Sequence, residues 1–208
     1  MEKSPTLFYE NQHKGVIAGL DEAGCGPWAG PLVAAAVVLP KVLPSIMLKV
    51  NDSKKLNAAK RAIIYEELVS DATVLWGVGV VSVDELDRIL LRKALPLAFE
   101  RAVAALSLQP AVLLIDGIRD PKLPFLTQLI KSGDQLSLSI AAASIIAKVT
   151  RDRMMEALHV EYPEYGWAAN AGYGTVQHRK ALQIHGVTKQ HRRSYAPIKA
   201  LLANSQKY

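Results

Sequence analysis

Two short apolar runs in this chain each deliver a carboxylate where they end, and that pairing limits the folds open to it. Gly15 to Leu20 is a β-rich run followed at once by Asp21-Glu22, and Ala111 to Ile115 is a continuous apolar run ending in Asp116-Gly117. A buried strand that hands an acid to its carboxyl end is a recurrent way to build an α/β site. Leu32 to Leu39, bounded by Pro31 and Pro40, predicts a second strand close behind the first, so that the two form a hairpin.

The remaining punctuation fills in the architecture. Ala58 to Ser70 has helical periodicity behind Asn57 as cap, and Thr73 to Val83 alternates as a third strand. Asp84 to Leu106 reads as one long helix kinked by Pro96. Phe125 to Ile130 is a shorter strand, and Ser137 to about Val160 is an Ala- and Ile-rich helix. A Tyr/Gly-rich segment from Tyr162 to Gly174 precedes helices near Thr175 to Ile184 and Pro197 to Ala203. The expected class is α/β, a mixed central sheet flanked by helices. A chain of 208 residues fits one ordinary domain. The expected division is an N-terminal segment 1–15, a catalytic domain 16–164 and a helical, basic C-terminal extension 165–208 packed on that domain.

Charge is distributed unevenly. All 19 acidic residues lie at or before Glu164, whereas the segment from Tyr165 to Tyr208 holds seven Lys or Arg and three His with no acid. That is the footprint of a segment that follows phosphates, and on charge alone a solubilising tail is an equal reading. The single cysteine, Cys25, excludes an internal disulfide, and the five histidines fall in no zinc-ligand spacing. Neither a leader-like apolar stretch nor a run as long as a membrane span is present, so a cytoplasmic protein without membrane contact is expected. Nothing signals self-association, and a monomer is the default.

The acids carry the chemistry. Asp21 and Glu22 sit where their strand runs out, Asp116 ends a second strand, and Asp134 lies in a Ser-Gly-Asp turn opening a helix. Adjacent strand residues face opposite ways, so Asp21 and Glu22 approach one ion only if the backbone turns or if one of them acts through water. Four acids on element ends suit a hard cation, Mg²⁺ or Mn²⁺, and two such ions activate water and stabilise both oxygens of a phosphoryl transfer. The expected division is Asp21, Glu22 and Asp116 around one ion, with Asp134 helping to hold the ion that activates water. Ser53 and Lys54 lie in a basic loop before a helix, and Ser144, Lys148 and Arg151 share one helical face suited to phosphates. Tyr173, between Gly172 and Gly174, is suited to stacking on a base or sugar.

These residues fall in six ordered motifs: Gly-Leu-Asp-Glu-Ala-Gly from Gly19, Asn-Asp-Ser-Lys-Lys-Leu from Asn51, Leu-Leu-Ile-Asp-Gly from Leu113, the Ser139 to Arg153 helix, Gly-Tyr-Gly-Thr from Gly172 and His-Arg-Arg-Ser-Tyr-Ala-Pro from His191. Over residues 19–198 the chain resembles bacterial ribonuclease HII, the type 2 ribonuclease H family. The resemblance implies a ribonuclease H-like fold and hydrolysis of RNA in RNA–DNA hybrids. It also implies incision 5′ to ribonucleotides embedded in duplex DNA, leaving 5′-phosphate and 3′-hydroxyl ends. It carries the family's metal-binding acids onto Asp21, Glu22, Asp116 and Asp134, and phosphate contacts onto Ser53, Lys54, Ser144 and Lys148. Tyr173 would press on the junction sugar, and backbone groups of Gly24, Cys25 and Gly26 would sense the 2′-hydroxyl.

Two positions depart from the pattern: Cys25 stands where the family usually has arginine, and Asn170-Ala171 where it commonly has histidine and lysine. If recognition runs through backbone amides, Cys25 leaves the cut site unchanged and weakens binding modestly. If the arginine side chain is essential, single-ribonucleotide cleavage suffers most.

Three other readings compete. A dinucleotide-binding loop at Gly24, Gly26 and Gly30 fails because a strand, not a helix, follows it. A silent hybrid-binding module, weakened by its altered loop, would gain by shedding acids that repel the phosphate backbone. A thiol enzyme using Cys25 has no histidine base nearby in the chain.

Overall fold

Strand β2 (Leu32–Val38) shows why the sheet is covered on both faces. Its seven residues are all apolar and all buried, with Ala34 and Ala36 in one hydrophobic cluster and Ala35 and Val37 in another. A strand so composed has no face to offer water. The computed structural model describes residues 4–50 and 56–205, and within them β2 lies in a five-stranded sheet. The spatial order is β3 (Leu75–Val81), β2, β1 (Ile17–Ala23), β4 (Val112–Asp116) and β5 (Leu126–Ile130). The β1–β2 and β2–β3 pairs are antiparallel, and β1–β4 and β4–β5 are parallel. The mixed sheet and the early hairpin match the sequence expectation.

Helix α1 (Ala58–Ser70) starts where expected, with the Asn57 side chain accepting the Lys60 N–H at 2.9 Å. Helix α4 (Leu138–Glu161) crosses one face of β1 and β2, and its residues 141–147 are buried. The other face carries α2 (Val83–Ile89) and α3 (Leu91–Ala104), where sequence periodicity pointed to one helix bent at Pro96. The chain breaks at Leu90 instead, whose φ is 64°, and Pro96 sits inside α3. A complete capping box, Ser82 with Glu85, starts α2, and the break then lets Leu86 on one helix and Ala94, Ala98 and Phe99 on the other reach the same cluster. Tertiary burial thereby overrides a continuous helical period.

Beyond α4 the chain forms α5 (Trp167–Asn170), α6 (Val176–His185) and α7 (Ala196–Ser205). Trp167, Leu182 and Ile198 from this region pack with Met155 of α4 and Ala29 of the loop after β1. Asp87 of α2 accepts the Arg193 and Ser194 N–H groups at 2.7 and 2.9 Å, a second tie to the body of the fold. No described helix is long and apolar enough to cross a membrane.

Candidate active site

Parallel neighbours end on the same side of a sheet, and β1 and β4 are parallel neighbours with Leu20 paired to Ile115. The next residue of each strand is an acid, so Asp21 and Asp116 emerge side by side. Asp134 arrives from the 3-10 turn Gly133–Gln135 that follows β5, entered through Ser132 in the left-handed region. The Gly133 N–H donates to Asp116 Oδ1 at 2.7 Å and fixes that turn against β4. One carboxylate oxygen from each of Asp21, Asp116 and Asp134 lies within 4.8 Å of the others, and Asp21 and Asp134 are almost fully buried.

Glu22 falls outside this group of three. Strand β1 does not turn at the acids: Glu22 still pairs with Ala34 and Ala23 with Val33. The pleat therefore sends Glu22 to the opposite face from Asp21, and its Oε1 accepts the Cys25 thiol at 3.6 Å. The structure thus groups Asp134, not Glu22, with Asp21 and Asp116, because the sheet pleat separates neighbours that chain order places together. Glu22 nonetheless lines the same cleft.

Burial drives the Asp21 carboxyl well above the usual range, and the charges of Glu22 and Asp116 push the same way. Three carboxylates brought this close, two of them buried, could hold a cation, which would offset their mutual repulsion. Mg²⁺ holds oxygens at about 2.1 Å, so two oxygens on one ion stand at most roughly 4.2 Å apart, and these three lie within 4.8 Å of one another. The donor set, all oxygen, suits Mg²⁺ or Mn²⁺.

The cleft above the acids encloses about 350 Å³. One wall is the loop after β1. Gly24 has φ 103°, and a Cβ there would stand 2.2 Å from Arg151 Nε, so position 24 admits no side chain. Cys25 is packed beside Glu22, and burial, aided by Glu22, pushes its thiol up to about 12. A thiol so protonated is a poor nucleophile, which removes the basis for a cysteine mechanism. A larger cavity of about 520 Å³ opens beside Leu7, Glu10 and Val38, but among the described residues no acid cluster lines it, and chemistry favours the smaller cleft.

Two buried arginines hold the loop. Arg151 donates to the carbonyls of Pro31, Ala171 and Ala29 at 3.0, 2.9 and 3.1 Å. Arg192 donates to Gly30 and Pro31 at 2.9 and 3.0 Å, and burial lowers both guanidinium pKa values, that of Arg151 to about 10. Arg151 was expected on a phosphate-facing stripe; it is 1 % exposed and its nitrogens are spent on backbone carbonyls. Arg192 carried no role in the sequence reading, and the only signal for it was the basic pair in the motif from His191. Tyr195 Oη donates to the Cys25 carbonyl at 2.6 Å. In a trans peptide C=O and N–H point opposite ways, so the Gly26 N–H is turned away from this buried contact.

The other wall is α4 and Tyr173. Ser144 Oγ donates to the Ala141 carbonyl at 2.8 Å, and Lys148 Nζ to Asp152 at 2.7 Å. Tyr173 is 49 % exposed, and a Cβ on Gly26 would stand 3.3 Å from its ring. Asn170, one of the two departures, is turned inward: its side chain donates to the Tyr165 carbonyl and accepts the Gly172 N–H, shaping the Tyr173 turn. Ser53 and Lys54 lie outside the described residues.

A family model described as Ribonuclease HII matches residues 18–198. A ribonuclease HII of Gluconobacter oxydans is 48% identical over 201 residues, covering 95% of this chain and 96% of the relative. One from Wolbachia pipientis subsp. Culex pipiens is 45% identical over 199 residues, covering 96% and 100%. The crystal structure of the ribonuclease H2 from Pyrococcus horikoshii superposes with a TM-score of 0.79 at 26% identity, covering 93% of this chain and 100% of that one. The sheet order, the flanking helices and these matches agree, and the chain belongs to the ribonuclease HII family as a ribonuclease H enzyme.

Proposed function

We propose that this protein hydrolyses the RNA strand of RNA–DNA hybrids and incises 5′ to ribonucleotides embedded in duplex DNA, leaving 5′-phosphate and 3′-hydroxyl ends. The observation that carries the reading is the convergence of Asp21, Asp116 and Asp134 within 4.8 Å, with Asp21 and Asp116 lining a cleft walled by a glycine loop, a helix bearing Ser144 and Lys148, and Tyr173.

Asp21, Asp116 and Asp134 would hold a divalent cation, Mg²⁺ or Mn²⁺, with Glu22 acting on the same cleft through water or a second ion. Such ions, when bound, supply an activated water and a counter-charge for the phosphate oxygens. The protein's own work is orientation. Gly133 N–H fixes the Asp116 carboxylate from behind, so an incoming phosphate meets an acid whose rotamer is already set. Lys148 exchanges its contact with Asp152 for a phosphate oxygen, and Ser144 adds a hydroxyl donor. The Gly24–Gly26 backbone, its Cys25 carbonyl gripped from behind by Tyr195, offers N–H groups to a ribose 2′-hydroxyl, and this makes the Cys25 side chain dispensable for reading RNA. Tyr173, over Gly26, packs against the sugar at the junction. The basic segment beyond Glu164 follows the duplex phosphates.

The test is cleavage of end-labelled duplex DNA carrying one ribonucleotide, beside all-DNA and continuous-hybrid controls, with Mg²⁺, Mn²⁺ or chelator. Metal-dependent incision 5′ to the lone ribonucleotide with the DNA control intact is expected. Asp116→Asn should lower turnover by at least about 100-fold while hybrid binding persists. Full activity in that variant would remove the acid assignment, and cleavage of the continuous hybrid alone would move recognition of the junction away from the loop backbone.

A further inference from the structure

The first turn of a helix leaves its leading N–H groups without intrahelical partners, and in α4 two of the first three are satisfied from the far end of the chain. Leu138 N–H donates to the Thr6 carbonyl at 3.0 Å, and Ser139 N–H to Glu10 Oε1 at 2.9 Å. The third, Ile140 N–H, donates to the capping Ser137 hydroxyl. Ser137 and Ser139 in turn donate their hydroxyls to the same Glu10 oxygen at 2.6 and 2.7 Å. Thr6 N–H donates to the Leu136 carbonyl at 3.1 Å, closing a parallel bridge between Thr6 and Ser137. Tyr9 packs against the cluster of Val112, Leu114, Ile130 and Ile140 at the same corner.

The hydrogen bonds all fall on residues 136–140, which begin two residues after Asp134. On the other side, Asp116 Oδ1 accepts the Gly133 N–H. The Asp134 turn is thus clamped between a cleft acid and the N-terminal strap, with Glu10 as the most connected atom group. Glu10 retains a buried Oε2 with no partner among the described residues, so its carboxylate is held here against its own solvation preference. The family match begins at residue 18 and does not include this segment.

We propose that Glu10 is a positioning residue for Asp134: by fixing the start of α4 it sets where that carboxylate meets the cation. The inference rests on the reading of Asp134 as a cation ligand. Loss of the Glu10 carboxylate frees the Ser137–Ser139 corner, and the Asp134 turn then fluctuates relative to Asp21 and Asp116.

Mn²⁺ binding to the full chain, measured by calorimetry without nucleic acid, tests this. Glu10→Ala should weaken Mn²⁺ binding by about tenfold, and Glu10→Gln, whose amide oxygen still accepts from Ser139 N–H, should recover part of it. In an Asp134→Asn background the further loss from Glu10→Ala should vanish, because both act through one carboxylate. Hybrid binding in chelator should stay within about twofold of the parent. Should Glu10→Ala not fold, Ser139→Ala removes part of the same clamp and is expected to show the same loss, smaller. Parental Mn²⁺ affinity in Glu10→Gln and Ser139→Ala, or full additivity with Asp134→Asn, overturns the positioning role. If Asp134→Asn alone binds Mn²⁺ as the parent does, the Asp134 reading fails and the proposal with it; if only the Glu10 variants are silent, the proposal alone fails.

Discussion

Asp21 carries a stability cost: burial and its acidic neighbours disfavour its charged form. Its folded pKa is raised, so the folded chain holds a proton there more tightly than the unfolded one. Its contribution is therefore fully present below the unfolded value, near pH 4, and is lost as pH rises through the folded value. In chelator at pH 7, Asp21→Asn should raise the melting temperature, by about 2–4 °C for each kcal/mol of relieved repulsion. Added Mn²⁺ should stabilise the parent and leave the variant nearly unmoved. A variant that melts lower than the parent in chelator would show that burial of this carboxylate is not a cost. Asp21 and Asp116 were legible as candidate site residues because each follows an apolar run. The exchange of Glu22 for Asp134 in the close group was not legible, since it depends on the pleat and on a turn whose path only packing determines.

At the scale of elements, the site depends on how closely α4 lies on β1. A Cβ on Gly19 would stand 2.3 Å from the Ser139 backbone carbon, and Gly19 lies two residues before Asp21 on the same strand face. Gly19→Ala should push the start of α4 off the sheet and destabilise the fold by about 1–3 kcal/mol through overpacking, read as a lower denaturation midpoint in chelator. An unchanged midpoint would mean that α4 yields at little cost. The helix itself was plain from its Ala-rich period, but which residue of β1 it touches was not. The same limit explains the 84–106 region, where periodicity ran on through Leu90 while burial of two short faces broke the helix there. Arg151 likewise has the spacing of a phosphate stripe, and only the approach of the loop after β1 turns it inward.

For the whole molecule, the C-terminal region is both a packing element and a charged face. Arg192 is internal, whereas Arg179, Lys180, Lys189, Arg193 and Lys199 are exposed. Hybrid affinity should fall about 100-fold between 50 and 200 mM salt if four phosphates are neutralised, and Arg179→Ala with Lys180→Ala should lower that slope by about 2. A slope unaltered by the double change would return these side chains to a solubilising role. Inside the same region, His191 Nε2 and His178 Nε2 lie 3.0 Å apart, and His178 Nδ1 meets the Tyr173 carbonyl at 2.9 Å. Burial, with His178 beside it, lowers His191 to about 3, and burial also lowers His178. The unfolded chain then binds more protons than the folded one between about pH 6.5 and 3, so stability is whole above that window and declines as pH falls through it. Thermal melts from pH 7 to pH 4 should show this decline, and His191→Asn should flatten it; an equally steep decline in the variant would assign the acid sensitivity to other groups.

The sequence by itself determined the strand-borne acids, the glycine loop, the long Ala-rich helix and the basic end, because each is written in a local period or a run of like residues. Tertiary structure decided which acids come within 4.8 Å of one another, which arginines face backbone carbonyls, and that residues before the first strand cap a helix starting more than 120 residues later. Those outcomes depend on pleat, register and close approach between distant segments, and local periodicity encodes none of these.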